Sequence, residues 1–272
     1  MLIRTLSVLL ILCCLLPFTA FAEDGNAASA EAQLQDVPVA QPDISRDLPP
    51  VGERYCDSQR FGIRNGPRDV KRVAITVDDC YNKDLLKAIF ELANQYGVRI
   101  TFFPLGDQLH EKDREIWRAI AASNCEIGSH SMHHTKMTAI SRSGITIHLY
   151  RFQECLDAAL GYHYGVVSMR PPYGAIESSD ASETRKVMNT VRAYGYDHAV
   201  LWDVSQTDFK KATKAVKNGS ILLYHTRNKD YKCLQELIPW LIEQGYELVT
   251  VRELLEFDPI ETGPELYVYP RD

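Results

Sequence analysis

The stretch VAITVDD, residues 73–79, has the pattern of a buried strand that ends in two adjacent carboxylates. Aspartate is depleted in strands and is seldom fully buried without a partner. Two interpretations of Asp78 and Asp79 are open. Either they form a polar turn in which one carboxylate caps the next helix, or they belong to a reactive site built on the strand end. The remaining sequence distinguishes these two interpretations.

Strand-like and helix-like segments alternate along the chain from this stretch onward. Short apolar runs predict strands, and apolar residues at helical spacing predict helices. The predicted strands are 73–79, 98–104, 125–130, 166–170, 196–202, 220–225 and 247–250. The predicted helices are 82–97, 113–123, 144–162, 182–195, 213–219, 233–245 and 251–257, the last with Thr250 as its N-cap.

Short loops between alternating strands and helices indicate an α/β fold with parallel strands and crossover helices. An open doubly wound sheet and a closed barrel both fit this pattern. About seven strand–helix units, without a glycine-rich nucleotide loop, favour a closed (β/α) barrel. In either architecture the functional site lies at the carboxyl ends of the strands. Reactive residues are therefore expected at the ends of several strands.

The composition is that of an ordinary globular protein, with 45% hydrophobic and 24% charged residues. The formal net charge is -6, and no block of Lys and Arg occurs along the chain. Because phosphate binding requires clustered cations, nucleic acid is not an expected partner.

Residues 1–22 are predicted to be a cleaved signal peptide. Arg4 precedes an apolar run that closes with the small-x-small pattern AFA, as at a signal cleavage site. The run is short for a membrane span and Pro17 interrupts it, so we expect no membrane span in the mature chain. An uncleaved anchor is the alternative. The prediction places the mature protein outside the cytoplasm, either secreted or periplasmic.

The rest of the chain divides into three predicted regions. Residues 23–50 are rich in Ala, Asp, Gln and Pro and contain no aromatic residue, which predicts a disordered linker. We expect the barrel domain over residues 51–258 and a C-terminal tail over residues 259–272. Export permits disulfides, but an odd number of cysteines leaves at least one thiol without an intrachain partner. The cysteines that remain after cleavage are Cys56, Cys80, Cys125, Cys155 and Cys233.

Ionisable or metal-binding residue types follow four further predicted strands. A single His after a strand is more often a hydrogen-bonded structural residue than a functional one. Four such strand ends together support the reactive site rather than the polar turn. The residues are His130 and His134 in GSHSMHH, Arg170 in RPPYG, Trp202 with Asp203, and His225 in SILLYH.

A metal site can be assembled from three of these residue types. His130 and His134 are four residues apart, so both imidazoles can face one ion if the segment turns helically. Asp79 adds a carboxylate, and three protein ligands leave a position open, as in catalytic zinc sites. We expect Zn²⁺, although the ligand set does not exclude Fe, Co or Ni. His133 is an alternative candidate ligand. If it does not bind the metal, we expect it to be exposed to solvent or to contact one of the metal ligands.

The remaining strand-end residues suit metal-assisted hydrolysis of an amide or ester. Such a reaction needs a base for the attacking water and an acid for the leaving group. Asp78 is the candidate base and His225 the candidate acid. The guanidinium of Arg170 can hold a carboxylate with two hydrogen bonds.

Five motifs in order resemble those of the polysaccharide deacetylases, carbohydrate esterase family four with its NodB homology domain. TVDDC is similar to the family's Asp-Asp motif, HSMHH to its His-Ser/Thr-x-x-His motif, and RPPYG to its Arg-x-Pro-Tyr-Gly motif. LLYH is similar to its Leu-x-x-His motif, and SQTDF stands where the fourth motif begins. The resemblance extends over about residues 70–250, which is most of the predicted mature chain.

The resemblance implies a distorted (β/α) barrel, a divalent metal and an acetylated polysaccharide substrate. It also implies that the backbone N–H of Tyr173 helps to stabilise the oxyanion, the usual way of holding such charge. The other roles that it implies are Asp78 as base, Asp79, His130 and His134 as metal ligands, and His225 as acid.

Two positions depart from the family pattern. Cys80 stands where the family usually has Gly, and we interpret it as a small apolar filler rather than a thiol near the metal. Ser205 stands where the fourth motif begins with an Asp that pairs with the motif's Arg. Asp203 and Asp208 are the nearby carboxylates that can replace it.

Trp202, Phe209 and Tyr173 are candidate surfaces for stacking against a sugar ring. The sequence thus predicts an exported deacetylase acting on N-acetylated polysaccharide, such as peptidoglycan or another N-acetylglucosamine polymer. Three alternatives remain. They are an O-acetyl carbohydrate esterase, a non-catalytic glycan-binding protein on the same fold, and a metal-independent relative that cleaves small amides.

Overall fold

The computed structural model describes residues 61–263. The predicted signal peptide at 1–22 and the predicted linker at 23–50 lie outside the described residues, as does Cys56. The domain boundaries at residues 51 and 258 therefore stay predictions.

Regular elements alternate along the described chain as the sequence pattern predicts. The strands are β1 Gly62–Ile63, β2 Arg72–Asp79, β3 Ile100–Pro104, β4 Glu126–Ile127, β5 His163–Tyr164, β6 Ala199–Val200, β7 Ile221–His225, β8 Glu247–Leu248 and β9 Thr262–Gly263. The α-helices are α1 Lys83–Tyr96, α2 Arg114–Ala121, α3 Arg142–Leu160, α4 Ala181–Tyr194, α5 Phe209–Ala215, α6 Asn228–Glu243 and α7 Val251–Leu255.

Strand β2 is the centre of a parallel five-stranded sheet with the order β4-β3-β2-β7, in which β8 pairs with the start of β2. All residues of β2 after Arg72 are buried. The continuous apolar run is therefore that of a strand covered on both faces, as parallel strands usually are. The fold is α/β with a parallel sheet, as predicted.

Short bridges close the sheet into a distorted barrel. Beyond β4, Ser129 forms a parallel bridge with Met169, and the Met169 carbonyl accepts a hydrogen bond from the Val200 N–H at 2.8 Å. Val204 then forms a parallel bridge with Leu222 in β7, which completes the ring. Single bridges replace full ladders on this side of the barrel, so the ring is irregular here.

The bounds of several elements differ from the predicted ones, and two of these differences lie beside candidate site residues. The predicted strand 166–170 contributes only the Met169 bridge. Pro171 and Pro172 lack the N–H groups that would extend a ladder beyond Arg170. Helix α5 begins at Phe209 rather than at residue 213, because the Asp208 side chain caps it by accepting a hydrogen bond from the Lys211 N–H.

Two short strand pairs were not predicted. Strand β1 pairs in parallel with β6, and β5 pairs antiparallel with β9. Strand β9 lies in the segment 259–272 that the sequence assigns to a tail, so the first part of that segment pairs with the barrel domain.

Helices pack around the sheet through apolar faces. In α1 the buried side chains include Leu86, Ile89, Phe90 and Ala93, at the spacing of one helical face. Trp117 of α2 is fully buried and belongs to the same apolar cluster. Among the described residues, no helix combines the length and apolar character needed to cross a membrane.

The N-terminus of α7 has the predicted cap. Thr250 and Glu253 form a capping box, in which the Thr250 hydroxyl accepts from the Glu253 N–H and the Glu253 carboxylate accepts from the Thr250 N–H. Both bonds satisfy N–H groups that the first turn would otherwise leave without partners.

We expect Thr250→Ala to lower the free energy of unfolding by about 1 kcal/mol, because the cap loses its side-chain acceptor. Chemical denaturation of wild type and variant measures the difference. Thr213→Ala is the control, because the Thr213 hydroxyl bonds only the Lys210 carbonyl within α5, at 3.1 Å. Equal losses in the two variants would contradict a specific role for the cap.

Candidate metal centre and catalytic residues

The end of β2 turns sharply and brings both carboxylates to one place. Asp79 has φ 64° and Cys80 has φ 62°, and the Cys80 N–H donates to the Asp78 carbonyl at 2.7 Å. Successive side chains alternate between faces in a regular strand. The left-handed conformation at Asp79 ends that alternation, so adjacent Asp78 and Asp79 both contact the same histidine, His130.

The segment after β4 supplies two imidazoles. The His130 Nδ1 atom lies 2.7 Å from the Arg170 carbonyl oxygen, which can only accept, so Nδ1 carries the proton. The Nε2 lone pair of His130 is therefore free to bind a metal, the arrangement that ligating histidines usually have. Ser131 has φ 64° between the two histidines, and its hydroxyl donates to the His133 carbonyl.

Asp79, His130 and His134 bring their candidate ligand atoms within 4.8 Å of one another. The Asp79 Oδ1 atom lies 3.4 Å from His130 Nε2 and 3.5 Å from His134 Nε2. Burial would raise the pKa of Asp79, but the neighbouring histidines outweigh it and lower the pKa from its usual value. Asp79 is therefore an anionic carboxylate facing two ring nitrogens.

The chemistry of this donor set fits a divalent cation. Asp79 Oδ1 is buried and has no hydrogen-bond partner within the described chain, which is costly unless something else binds it. One carboxylate oxygen and two imidazole nitrogens suit Zn²⁺ and leave a position open. The predicted ligands thus lie together.

Asp78 pairs with a fully buried arginine. The Arg170 Nη1 atom donates to Asp78 Oδ1 and to Thr76 Oγ1, both at 2.6 Å. Its Nη2 and Nε atoms donate to the carbonyls of Leu201 at 3.0 Å and Val200 at 3.2 Å. Burial lowers the pKa of Arg170, and the Asp78 carboxylate opposes that shift. Arg170 thus contacts the Asp78 carboxylate through Nη1 alone, because Nη2 and Nε bond backbone carbonyls, so the expected contact with two hydrogen bonds is not formed.

His225 reaches the same centre from the end of β7. Its Nε2 atom lies 3.9 Å from Asp79 Oδ2. Burial lowers the pKa of His225, while the carboxylates of Asp78, Asp79 and Asp230 oppose that shift. The His225 backbone N–H donates to Asp230 Oδ1 at 3.3 Å.

Tyr173 stands at the edge of the centre with a left-handed backbone, φ 62°. Its ring meets the ring of His134 edge-on at 4.2 Å between centroids, and its side chain is 58% exposed. A Cβ on the next residue, Gly174, would lie 2.9 Å from the Trp202 ring, so only Gly fits between Tyr173 and this tryptophan. The ring of Trp202 also lies 5.6 Å from the Arg170 guanidinium carbon.

The other candidate residues have different neighbours. Asp203 Oδ2 pairs with Arg68 at 2.7 Å and accepts from the Ser220 hydroxyl at 3.0 Å. Asp208 caps α5, and the Phe209 ring packs edge-on against Trp240. Asp203 and Asp208 thus contact partners other than the motif's arginine. Phe209 packs beside the main apolar cluster, which is the one that contains Leu86 and Trp117. Ser205 is exposed.

Cys80 is fully buried in the main apolar cluster, and its Sγ atom lies 3.7 Å from the Val77 carbonyl. Burial raises the pKa of its thiol well above the usual value. The thiol is not among the group of candidate metal ligands. These observations agree with the interpretation of Cys80 as an apolar filler, at a φ that favours glycine.

Three further residues belong to this region, although the motifs do not identify them. Thr76 bonds Arg170, and Asp230 contacts His225. Tyr81 is 55% exposed, and burial together with the charges of Asp79 and Asp107 raises its pKa. Tyr81 directly follows the Asp79–Cys80 turn in the sequence, which is the one signal that could have identified it.

Comparison with known proteins identifies relatives by sequence and by fold. The family model described as polysaccharide deacetylase matches residues 65–199. The peptidoglycan-N-acetylglucosamine deacetylase PgdA of Listeria monocytogenes is 27% identical over 194 residues, which cover 68% of this chain and 39% of that protein. The chain thus spans about two fifths of the length of this relative.

Two solved structures share the fold. The peptidoglycan deacetylase PdaC from Bacillus subtilis is 27% identical with a TM-score of 0.57, and the match covers 69% of this chain and 91% of that one. A mutant of BA3943 from Bacillus anthracis, described as a CE4 family pseudoenzyme with restored enzymatic activity, is 25% identical with a TM-score of 0.62. That match covers 71% of this chain and 70% of the other.

We expect His130→Ala and His134→Ala each to weaken zinc binding by more than about tenfold, since losing even an outer partner of a ligand costs that much. His133→Ala is the matched control, because the His133 Nδ1 atom contacts Asp107 Oδ2 at 3.1 Å rather than Asp79. Competition with a chromophoric chelator measures the affinities. A larger loss in His133→Ala than in His134→Ala would contradict the ligand assignment.

Proposed function

We propose, from the premise that this chain belongs to the polysaccharide deacetylase family, that it is an exported metal-dependent hydrolase. Its proposed reaction removes acetyl groups from an N-acetylglucosamine polymer, with peptidoglycan as the leading candidate. The observation that carries the proposal is the unpartnered Asp79 Oδ1 facing His130 and His134, beside the Asp78–Arg170 pair. Support for the substrate comes from the relatives, whose names describe peptidoglycan deacetylases.

Asp79, His130 and His134 would hold the metal, for which Zn²⁺ is the proposed identity. A bound ion of this kind supplies a Lewis acid that polarises the acetyl carbonyl. Every other requirement of the reaction falls to side chains and backbone groups of the protein.

Asp78 is the proposed base. Its Oδ1 atom is occupied by Arg170, while Oδ2 lies 3.9 Å from His130 Nε2 and faces the metal centre. The buried guanidinium fixes the orientation of the carboxylate through its 2.6 Å hydrogen bond to Oδ1. Asp78 Oδ2 is thus positioned to accept a proton from a water that attacks the acetyl carbon.

His225 is the proposed acid that protonates the leaving nitrogen. Its Nε2 atom lies near Asp79 Oδ2, whereas the two candidate metal-binding histidines contact Oδ1 of the same carboxylate. Asp230 accepts from the His225 backbone N–H and so helps to fix the end of β7, which carries this ring. The backbone N–H of Tyr173 is the proposed donor to the oxyanion.

A non-catalytic glycan-binding role is the second candidate. Two observations favour it: Cys80 and Ser205 depart from the family motifs, and one structural neighbour is described as a pseudoenzyme. The complete set of candidate ligands and the buried Asp78–Arg170 pair favour catalysis instead.

The test of the proposed function is acetate release across a panel of substrates. The panel contains N-acetylglucosamine oligomers, peptidoglycan and O-acetylated xylan, incubated with zinc-loaded protein. We expect release from the N-acetyl substrates to exceed release from xylan. Preference for xylan would indicate the esterase, and glycan binding without acetate release would indicate the non-catalytic role.

We expect Asp78→Asn to keep its metal and to lose roughly a hundred- to ten-thousand-fold in kcat, because an amide cannot accept the proton. Metal content and kcat are measured on the same preparation. Asp208→Asn is the control, since this carboxylate caps α5. Wild-type turnover in Asp78→Asn would show that another group is the base.

A further inference from the structure

An open groove of about 670 Å³ lies between helix α3 and the segment that follows β4. We call it the α3 groove. Its volume falls in the range of ligand-binding clefts. Two sulfur-bearing and two imidazole side chains line it, which are Met132, Cys155, His133 and His148. None of them belongs to the centre at Asp79, so the groove holds a separate group of candidate metal ligands.

The two sulfur atoms of the groove lie side by side. The Cys155 Sγ atom is 3.9 Å from the Met132 Sδ atom. Two sulfur ligands that bind one ion at about 2.3 Å, with the angle of about 120° of trigonal coordination, are themselves about 4.0 Å apart. The observed separation is therefore the one that a shared ion requires.

Both sulfur atoms are held by the surrounding backbone. A Cβ at Gly106 would lie 2.6 Å from Met132 Sδ, so the thioether occupies space that only glycine leaves open. The Met132 carbonyl accepts a hydrogen bond from the Asp107 N–H at 3.1 Å. Cys155 lies on α3, a helix of 19 residues. The sulfur pair is thus positioned before any ion binds.

The thiol of Cys155 differs from those of the other described cysteines in its exposure. Cys80, Cys125 and Cys233 are buried, whereas Cys155 and the neighbouring Met132 are both partly exposed. Burial nevertheless raises the pKa of the Cys155 thiol, so an ion that binds here must displace its proton. The open side of the groove gives an ion access to the pair.

The two imidazoles supply nitrogen donors to the same groove. His133 Nδ1 lies 3.1 Å from Asp107 Oδ2, a carboxylate contact that metal-binding histidines commonly make. His148 Nδ1 is buried and has no hydrogen-bond partner among residues 61–263, which is rare for a buried polar atom. The two rings meet edge-on, with 5.5 Å between their centroids.

The donor set of the groove selects the kind of ion. Thiolate and thioether sulfur favour soft ions such as Cu(I). A structural Zn²⁺ site needs four ligands, and in the described chain the groove does not gather three His, Cys, Asp or Glu ligand atoms as the centre at Asp79 does. Cu(I) accepts a lower coordination number than Zn²⁺, so the sulfur pair with one imidazole suffices.

We propose that the α3 groove binds one Cu(I) ion through Met132 Sδ and Cys155 Sγ, with an imidazole of the groove as the third ligand. The thiol releases its proton to solvent as the copper–sulfur bond forms, and the copper stays in the +1 state, so no other reactant is needed. This site shares no ligand with the centre at Asp79 and does not depend on the proposed deacetylation.

Anaerobic titration of Cu(I) into the zinc-loaded mature protein, in competition with a chromophoric Cu(I) chelator, tests the site. We expect one bound Cu(I) per chain and a loss of affinity of more than about tenfold in Cys155→Ser and in Met132→Leu. Met137→Leu is the matched control, because Met137 is buried in a different apolar cluster. Cys56→Ser controls for the mature chain's cysteine outside the described residues.

X-ray absorption at the copper edge reads the ligands directly. It should show two sulfur neighbours at about 2.3 Å in wild type and one in Met132→Leu. Unchanged Cu(I) affinity in Met132→Leu, or an equal loss in Met137→Leu or Cys56→Ser, overturns the assignment.

His134→Ala separates the groove from the centre at Asp79. It removes a candidate zinc ligand and leaves the sulfur pair intact, so we expect its Cu(I) affinity to equal that of wild type. A loss of Cu(I) affinity as large as that in Cys155→Ser would place the copper at the Asp79 centre and overturn the proposal.

Discussion

The buried ion pair between Arg170 and Asp78 is the interaction on which the other features of the site depend. Arg170 is fully buried, and removing one partner of such a pair typically costs about 3–5 kcal/mol. Its guanidinium joins β2, through Asp78 and Thr76, to the chain around β6, through Val200 and Leu201. Its carbonyl also accepts from His130. One residue thus orients the proposed base, a candidate metal ligand and the irregular side of the barrel.

Local backbone strain is concentrated around the same centre. Asp79, Cys80, Ser131 and Tyr173 all have φ between 62° and 64°, a conformation that side chains other than glycine rarely adopt. Each such residue costs of order 1–3 kcal/mol and persists only where the surrounding structure imposes it. The buried sheet and the helices packed around it supply that constraint. The consequence is a set of reactive groups that are positioned before any ligand binds.

The sequence predicted most of the architecture because periodicity and strand-end chemistry are local signals. VAITVDD is the central strand, and the residues that the motifs single out at strand ends meet at one edge of the barrel. The sequence favours a closed barrel, but the bridges at Met169 and Val204 that close it could not be located, because single bridges leave no periodic pattern. The pairing of Asp203 with Arg68 could not be predicted either, because these residues are 135 positions apart and do not belong to one sequence motif.

The central claim is that one metal ion at Asp79, His130 and His134 makes this protein a deacetylase. Titration of Zn²⁺ into metal-stripped protein, with acetate release from N-acetylglucosamine hexamer followed at each point, tests it most directly. We expect no activity without metal and a rise that saturates at about one ion per chain, the number that a single three-ligand site holds. Full activity in the stripped protein, or no activity once one ion per chain is bound, would contradict the claim.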